Sequence, residues 1–216
     1  MKYILTDSDR TLLDQRIAET EKQTGAQIVL ASVVRCDSYA EIPWKAFAIG
    51  ASVASLVAIG LDLFVLGWLT GTLILFSVAF ILATGALSAL LAVLFPRFGT
   101  LFLSTGRKES ETMQYAESLF LSRELFSTEE RRGILLLVSR FERQVVILPD
   151  KGVRSLLNDE VLKELISNMT IHLRRNELRQ ALETGLDGIR TALGSPVPGR
   201  TGRNELSDEI IEEEGI

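Results

Sequence analysis

The 216-residue sequence holds one cysteine, one histidine and, between Ala46 and Pro96, one charged residue. The lone Cys36 excludes an intrachain disulfide framework and any multi-cysteine zinc knuckle. It reads as a small strand-end residue rather than a nucleophile. The lone His172 has no second histidine or cysteine set to share a zinc ion, so it reads as a structural or exposed side chain. No Walker-type or dinucleotide glycine pattern occurs, and no serine has a nucleophile-elbow context. Lys and Arg total 23 against 28 Asp and Glu, a net charge of −5 without a basic stripe, so nucleic acid is not an expected partner. Residues 1–15 lack the basic start and apolar core of a secretory signal, and none is expected.

What the sequence does have is an uneven distribution of apolar residues. From Ala46 to Pro96 there are 51 residues in which Asp62 is the single charge. One bilayer crossing needs roughly 20 apolar residues, so this block is long enough for two. The expected hairpin runs over about 46–67 and 71–94, with its turn near Gly67-Trp68-Leu69-Thr70-Gly71. Trp44 and Lys45 suit the interfacial start of the first helix, and Trp68 the interface at the turn. Asp62 then falls within two turns of the loop. A turn at Gly60–Asp62 takes the acid out of the hydrocarbon but leaves an overlong second helix. Small residues recur in both helices, from Gly50 to Ser55 and from Ala83 to Ala89, and favour close helix packing. Lys45, Arg97, Arg107 and Lys108 flank the outer ends, whereas the short connection has no Lys or Arg. The positive-inside bias therefore predicts a cell (inner) membrane protein with both termini and its soluble part in the cytoplasm.

Either side of this block the sequence reads as soluble. Thr6-Asp7-Ser8-Asp9 has the spacing of a capping box, and Leu12, Leu13 and Ile17 make one stripe of a helix closed by Gly25. Ala26–Val34 predicts a short, mostly buried strand. Beyond Pro96, Glu109–Ser122 predicts an amphipathic helix. Ile134–Ser139 and Arg143–Leu148 predict an antiparallel hairpin through Arg140-Phe141-Glu142, and two helices follow over 160–175 and 176–193. Gly185 and Gly188 inside the last helix indicate close packing. Pro196 and Pro198 end regular structure, and 194–216 reads as a flexible acidic tail. One helix and one strand in 1–43 cannot bury their apolar faces alone, and 97–193 supplies the missing elements. The expected fold class is therefore α/β: a small mixed sheet flanked by helices, interrupted by a two-helix transmembrane hairpin over 44–96. Parallel pairing of 27–34 with 134–139 places Asp37 beside Ser139, Arg140 and Glu142. Asp150 then lies at the opposite sheet end, near Gln27, Arg131 and Arg132.

The candidate chemistry rests on isolated acids. Asp150 follows a strand and precedes Lys151-Gly152, where a carboxylate either binds a divalent cation and orients water or accepts backbone N–H bonds in the turn. Glu21 sits late on the first helix, where the helix dipole disfavours an acid, so it either pairs with a base or metal or faces solvent. Asp37, Glu142 and Arg143 form either a charged site at the other sheet end or a solvated rim.

Residues 19–30 (ETEKQTGAQIVL), 116–126 (AESLFLSRELF), 128–153 (TEERRGILLLVSRFERQVVILPDKGV) and 204–210 (NELSDEI) resemble the TPM-domain family, and more closely its bacterial integral membrane protein subgroup. The resemblance implies an α/β sandwich with helices on both sides of a small sheet. Family members include a thylakoid-lumen protein described as an acid phosphatase and a membrane regulator of receptor channels. It follows that two functions are expected: a membrane-anchored module that binds or scaffolds a membrane protein, or a phosphomonoesterase dependent on Ca2+ or Mg2+. On the second, the resemblance places the site at Glu21, Asp150 and Asp37, with Asp150 catalytic. Gln27 stands where many relatives have Glu, and relatives' domains are usually exported.

Overall fold

The computed structural model describes residues 5–66, 71–128, 130–194 and 210–215. The chain divides into two compact units, one joining Met1–Asp37 to Lys108–Ile216 and the other spanning Ser38–Arg107.

The first unit begins with helix α1 (Asp7–Thr24). The Thr6 hydroxyl accepts the Asp9 N–H at 3.2 Å, and the Asp9 carboxylate accepts the Thr6 N–H at 3.1 Å. This reciprocal pair satisfies two of the donors a helix start leaves open. Gly25 closes the helix at φ 66, in the left-handed region where glycine carries no Cβ penalty. Strand β1 (Gln27–Arg35) follows.

After the second unit, described below, the first resumes in α5 (Thr105–Ser122), β2 (Gly133–Ser139), β3 (Gln144–Pro149), α6 (Asp159–Arg174), α7 (Leu178–Leu193) and β4 (Ile211–Gly215). The sheet order is β3-β2-β1-β4. β1 runs parallel to β2 and to β4, and β2 runs antiparallel to β3. The sheet is thus mixed. Period-2 alternation sends Ile28, Leu30, Ile134, Leu136 and Val138 to one face, against α1, α6 and α7. The intervening Val29, Ala31, Val33, Leu135 and Leu137 face the other side, against Ala116 and Leu119 of α5. Both faces of β1 and β2 are covered, which is why these strands read as nearly continuous apolar runs.

Two expectations are corrected here. Residues 211–215, expected within a loose tail, form an edge strand, because their backbone pairs with β1 and their carboxylates accept from Arg10 of α1 and Tyr115 of α5. Arg143, expected in the second hairpin strand, lies in the turn with φ 55. Gly185 packs as its sequence context suggests. An added Cβ would stand 2.6 Å from Leu136 Cδ1 and 2.8 Å from Met169 Sδ, so only hydrogen fits between α7, α6 and the sheet.

The second unit is built on α2 (Glu41–Leu61), which begins five residues before the expected start and continues into a π-helical turn, Asp62–Leu66. Helix α3 (Gly71–Leu94) is followed by a single turn, α4 (Pro96–Gly99). Among the described residues, two helices are long and apolar enough to cross a membrane, Glu41–Phe64 and Ile74–Leu94. They pack on each other through small residues. A Cβ on Gly50 would collide with the Ser88 side chain, and one on Gly85 would lie 2.9 Å from the Phe47 ring. Their outer faces present Leu56, Leu75 and Phe76, each more than 70% exposed.

Candidate functional sites

The two ends of β1 and the edge beside β4 each collect polar side chains. At the start of β1, the backbone of Ile28 donates to Glu21 Oε1 at 2.6 Å. Glu21 is 7% exposed, so its late position on α1 serves a strand start rather than solvent. Asp150 leaves β3 at the same end, where its N–H bonds the Gly133 carbonyl and Gly133 pairs with Gln27. Arg131 Nε and Nη2 reach the two Asp150 oxygens at 2.6 and 2.9 Å, and the Lys151 N–H donates to Oδ1 at 2.7 Å. Burial opposes the charge on Asp150, but the Arg131 and Lys151 bonds outweigh it and hold the carboxyl below its ordinary value. Arg132 donates to the Thr24 carbonyl at 2.7 Å and ties the same corner to α1.

At the other end of β1 lie Cys36 and Asp37. Glu142 accepts the Cys36 N–H at 2.9 Å and the Ser139 hydroxyl. With 3% exposure it is no part of a solvated rim, a correction that follows from the unsatisfied backbone N–H the parallel pairing brings to it. The Cys36 thiol is pushed up to about 11, chiefly by burial, which leaves it protonated and unreactive at neutral pH. His172 Nδ1 lies 2.9 Å from Glu177 Oε2 near the end of α6.

A divalent cation held by protein oxygens needs several converging ligands, roughly six to eight for Ca2+. Asp37 is separated from Glu21 and Asp150 by the length of β1. The Asp150 oxygens are engaged by Arg131 and Lys151. Among the described residues, no three His, Cys, Asp or Glu side chains are grouped to hold a metal ion. The donor set does not fit Ca2+ or Mg2+ as it stands.

The third location was not legible as a site. A cavity of about 610 Å³ lies between α5 and β4, lined by Cys36, Gln114, Tyr115, Ser118, Arg123 and Glu213 among others. That volume is in the range of small-molecule and peptide side-chain pockets. Tyr115 donates to Glu213 Oε2 at 2.5 Å, and Arg123 Nη2 approaches Oε1 at 3.4 Å. Burial, and then the Glu213 carboxylate, push the Tyr115 phenol well above its ordinary range, so it remains a donor. On the opposite face Arg10 Nη2 meets Glu212 Oε2 at 2.5 Å. The signal that was available is the Ile210-Ile211 pair immediately before three glutamates and a glycine, a pattern too short to outweigh the acidic composition.

The residues predicted at the membrane belong to the second unit. Trp44 is 75% exposed on α2, and Lys45 Nζ lies 3.5 Å from the Phe102 carbonyl. Arg97 sits in α4, and Arg107 lies 3.8 Å from Glu41. Asp62 opens the π-helical turn, and its Oδ1 is buried without a hydrogen-bond partner among the described residues. Trp68 and the expected connection through 67–70 lie outside the described residues.

A mixed four-stranded sheet with helices on both faces and two long apolar helices in an insert define an α/β fold. Residues 98–192 match the family model described as the TPM domain. The matched span begins after the two apolar helices and leaves out α1 and β1, which the insert separates from it in sequence. The BA42 protein from the psychrophilic bacterium Bizionia argentinensis, solved by NMR, is similar in fold. Its TM-score is 0.58 at 13% identity, over 98% of this chain and 97% of that chain. No curated protein matches the chain in sequence.

Proposed function

We propose that the protein is a membrane-anchored TPM module that binds another protein at the cytoplasmic face of the cell membrane. The observation that carries this reading is the pair of apolar helices, whose large side chains point outward instead of into a core. An outer surface of that kind, on helices whose mutual packing uses small residues, is suited to lipid. The cytoplasmic side follows from Lys45, Arg97, Arg107 and Lys108 at the outer ends of the helices. Occupied oxygens on Asp150, and acids spread over two sheet ends, favour binding over the alternative of a metal-dependent phosphomonoesterase.

Carbonate extraction of membranes from expressing cells tests the anchor. The protein is expected in the pellet, and release into the supernatant overturns it. A tag at residue 216 is expected to be inaccessible from outside intact cells. Phosphatase turnover by purified protein that depends on Mg2+ or Ca2+, and is lost in Asp150→Asn, would establish the enzyme reading instead.

A further inference from the structure

The edge of β1 is occupied by a strand whose every inner position is read by a different feature of the fold. β4 pairs parallel to β1 from Ala31↔Ile211 to Arg35↔Gly215, the second half of the strand. Ile211 packs into the apolar cluster with Val29, Ala31 and Val33. Glu212 turns to the opposite face and meets Arg10 of α1 at 2.5 Å. Glu213 turns back toward α5, to Tyr115 and Arg123. Gly215 has φ 83, and a Cβ there would collide with the Arg35 carbonyl. Main-chain pairing along an edge with separate pockets for alternate side chains is the geometry of β-augmentation, in which the backbone supplies affinity and the side chains specificity.

Several observations mark β4 as a resident ligand more than a core element. All seven residues of β2 are buried, whereas the five of β4 are half-buried or exposed. Its ion pairs lie near the surface, where each is worth little. It is joined to α7 through 194–210, a stretch with Pro196, Pro198, Gly199 and Gly202 in which the Ile210 N–H donates to Asp14 of α1. Among the described residues, Glu213 is the β4 side chain that lines the cavity, and Gln114, Ser118 and Ser122 line it from α5.

We infer that the β1 edge is a binding site for an extended acidic segment of a partner protein, with the spacing Ile-Glu-Glu-x-Gly, which the chain's own C-terminal strand occupies until displaced. A tethered occupant has an effective concentration of the order of mM, so a competitor must gain contacts the tail lacks. A second copy's tail is identical and gains none. A partner segment with a longer acidic side chain at the position of the second glutamate points it to the same face, reaches further into the open cavity and does. This site gives the protein-binding reading above its partner class and rests on that reading for its use in the cell. The peptide edge itself stands on soluble-unit geometry.

The test uses the full chain in detergent and a fluorescently labelled peptide of residues 208–216, DEIIEEEGI. Gly215→Val in the protein weakens the resident strand while leaving Arg10, Tyr115 and Arg123 intact. The labelled peptide is expected to bind this variant at least tenfold more tightly than the unaltered chain. Adding Arg10→Glu and Arg123→Glu to the variant is expected to abolish that gain, as is Gly→Val in the peptide. Circular dichroism and elution volume report whether each variant stays folded. Folded Gly215→Val protein that binds the peptide no better than the unaltered chain overturns the site. Association of unaltered chains through exchanged tails, seen as tail-to-Arg10 cross-links between differently tagged copies, overturns the choice of a separate partner. Because the assay is in detergent, its failure leaves the carbonate extraction result untouched, and the reverse holds equally.

Discussion

Arg131 donates two parallel hydrogen bonds to Asp150 across 19 positions of sequence, and does so from a left-handed backbone with φ 55. The neighbouring Gly152 makes the approach feasible. Its N–H bonds the Arg131 carbonyl at 2.8 Å, and a Cβ would stand 2.7 Å from that same oxygen. The pair staples the loop before β2 to the turn after β3. Replacing Asp150 by Asn keeps the shape but loses the charge-assisted pair, and leaves a buried polar group poorly matched to its neighbours. We expect Asp150→Asn to cost about 1–2 kcal/mol of stability, measured by thermal unfolding in detergent. A loss too small to resolve would mean that the pair is a surface contact.

The same carboxylate sets an acid dependence. Its pKa in the folded chain lies below the ordinary value of 3.8, held there by Arg131 and Lys151 against the effect of burial. A carboxyl depressed on folding adds stability that is fully present above its unfolded pKa and is lost as pH falls through its folded value. The stability gap between the unaltered chain and Asp150→Asn is therefore expected to be constant from pH 7 to about 5 and to shrink below 3.8. Unfolding midpoints taken at several pH values in that span decide it, and a gap that widens on acidification contradicts the assignment.

Glu142 is expected to be structural despite its charge. It lies beyond the end of β2 and accepts from the Cys36 backbone and the Ser139 hydroxyl while nearly inaccessible to water. Glu142→Ala removes both acceptors and strands a buried N–H, at an expected cost of about 2–3 kcal/mol. Glu142→Gln keeps one acceptor oxygen and should recover part of the loss. Stability of both variants equal to that of the unaltered chain in a denaturant titration would show that neither bond contributes.

Much of this architecture was readable because apolar alternation is a local signal. Val29, Ala31 and Val33 against Ile28 and Leu30 already place β1 between two helical layers, and the paired run in β2 repeats the pattern. The long uncharged run around Asp62 identified the two apolar helices for the same reason. Two things were hidden. The fate of Glu142 depends on which backbone donor the parallel register delivers to it, and a charged residue in a hairpin turn looks exposed until that partner is known. The strand at 211–215 depends on hydrogen-bond donors contributed by Arg10, Tyr115 and Arg123, none near it in sequence. Asp150, by contrast, was readable as a turn acid, because the glycine and the backbone donor that fix it are its immediate neighbours.

Gly185 tests the packing of α7 on the sheet. Leu136 and Met169 occupy the space a methyl group would need. Helix propensity alone favours alanine over glycine by roughly 1 kcal/mol, so a neutral site would be stabilised by the change. Overpacking of a dense core costs about 1–3 kcal/mol and wins here because one obstacle is a sheet side chain that is itself fully buried. Gly185→Ala is expected to lower the unfolding temperature. A rise would show that Met169, the more flexible neighbour, yields without cost.

Cys36 gives a readout of the groove beneath β4. Its thiol is 3% exposed and pushed up to about 11, first by burial and further by the nearby Glu142 and Glu111 carboxylates, against hydrogen bonding with Ser139 and Thr112. An ordinary cysteine thiol titrates near ~8.5, so at pH 8 the native protein holds on the order of a hundredfold less thiolate than a free thiol. Labelling by a disulfide reagent under native conditions is expected to be slower than that of glutathione by at least this factor, before steric protection is counted. In denaturant the two should react at similar rates. Native labelling as fast as that of glutathione would mean that β4 and α5 do not cover the thiol, and would remove the floor of the groove on which the acidic strand rests.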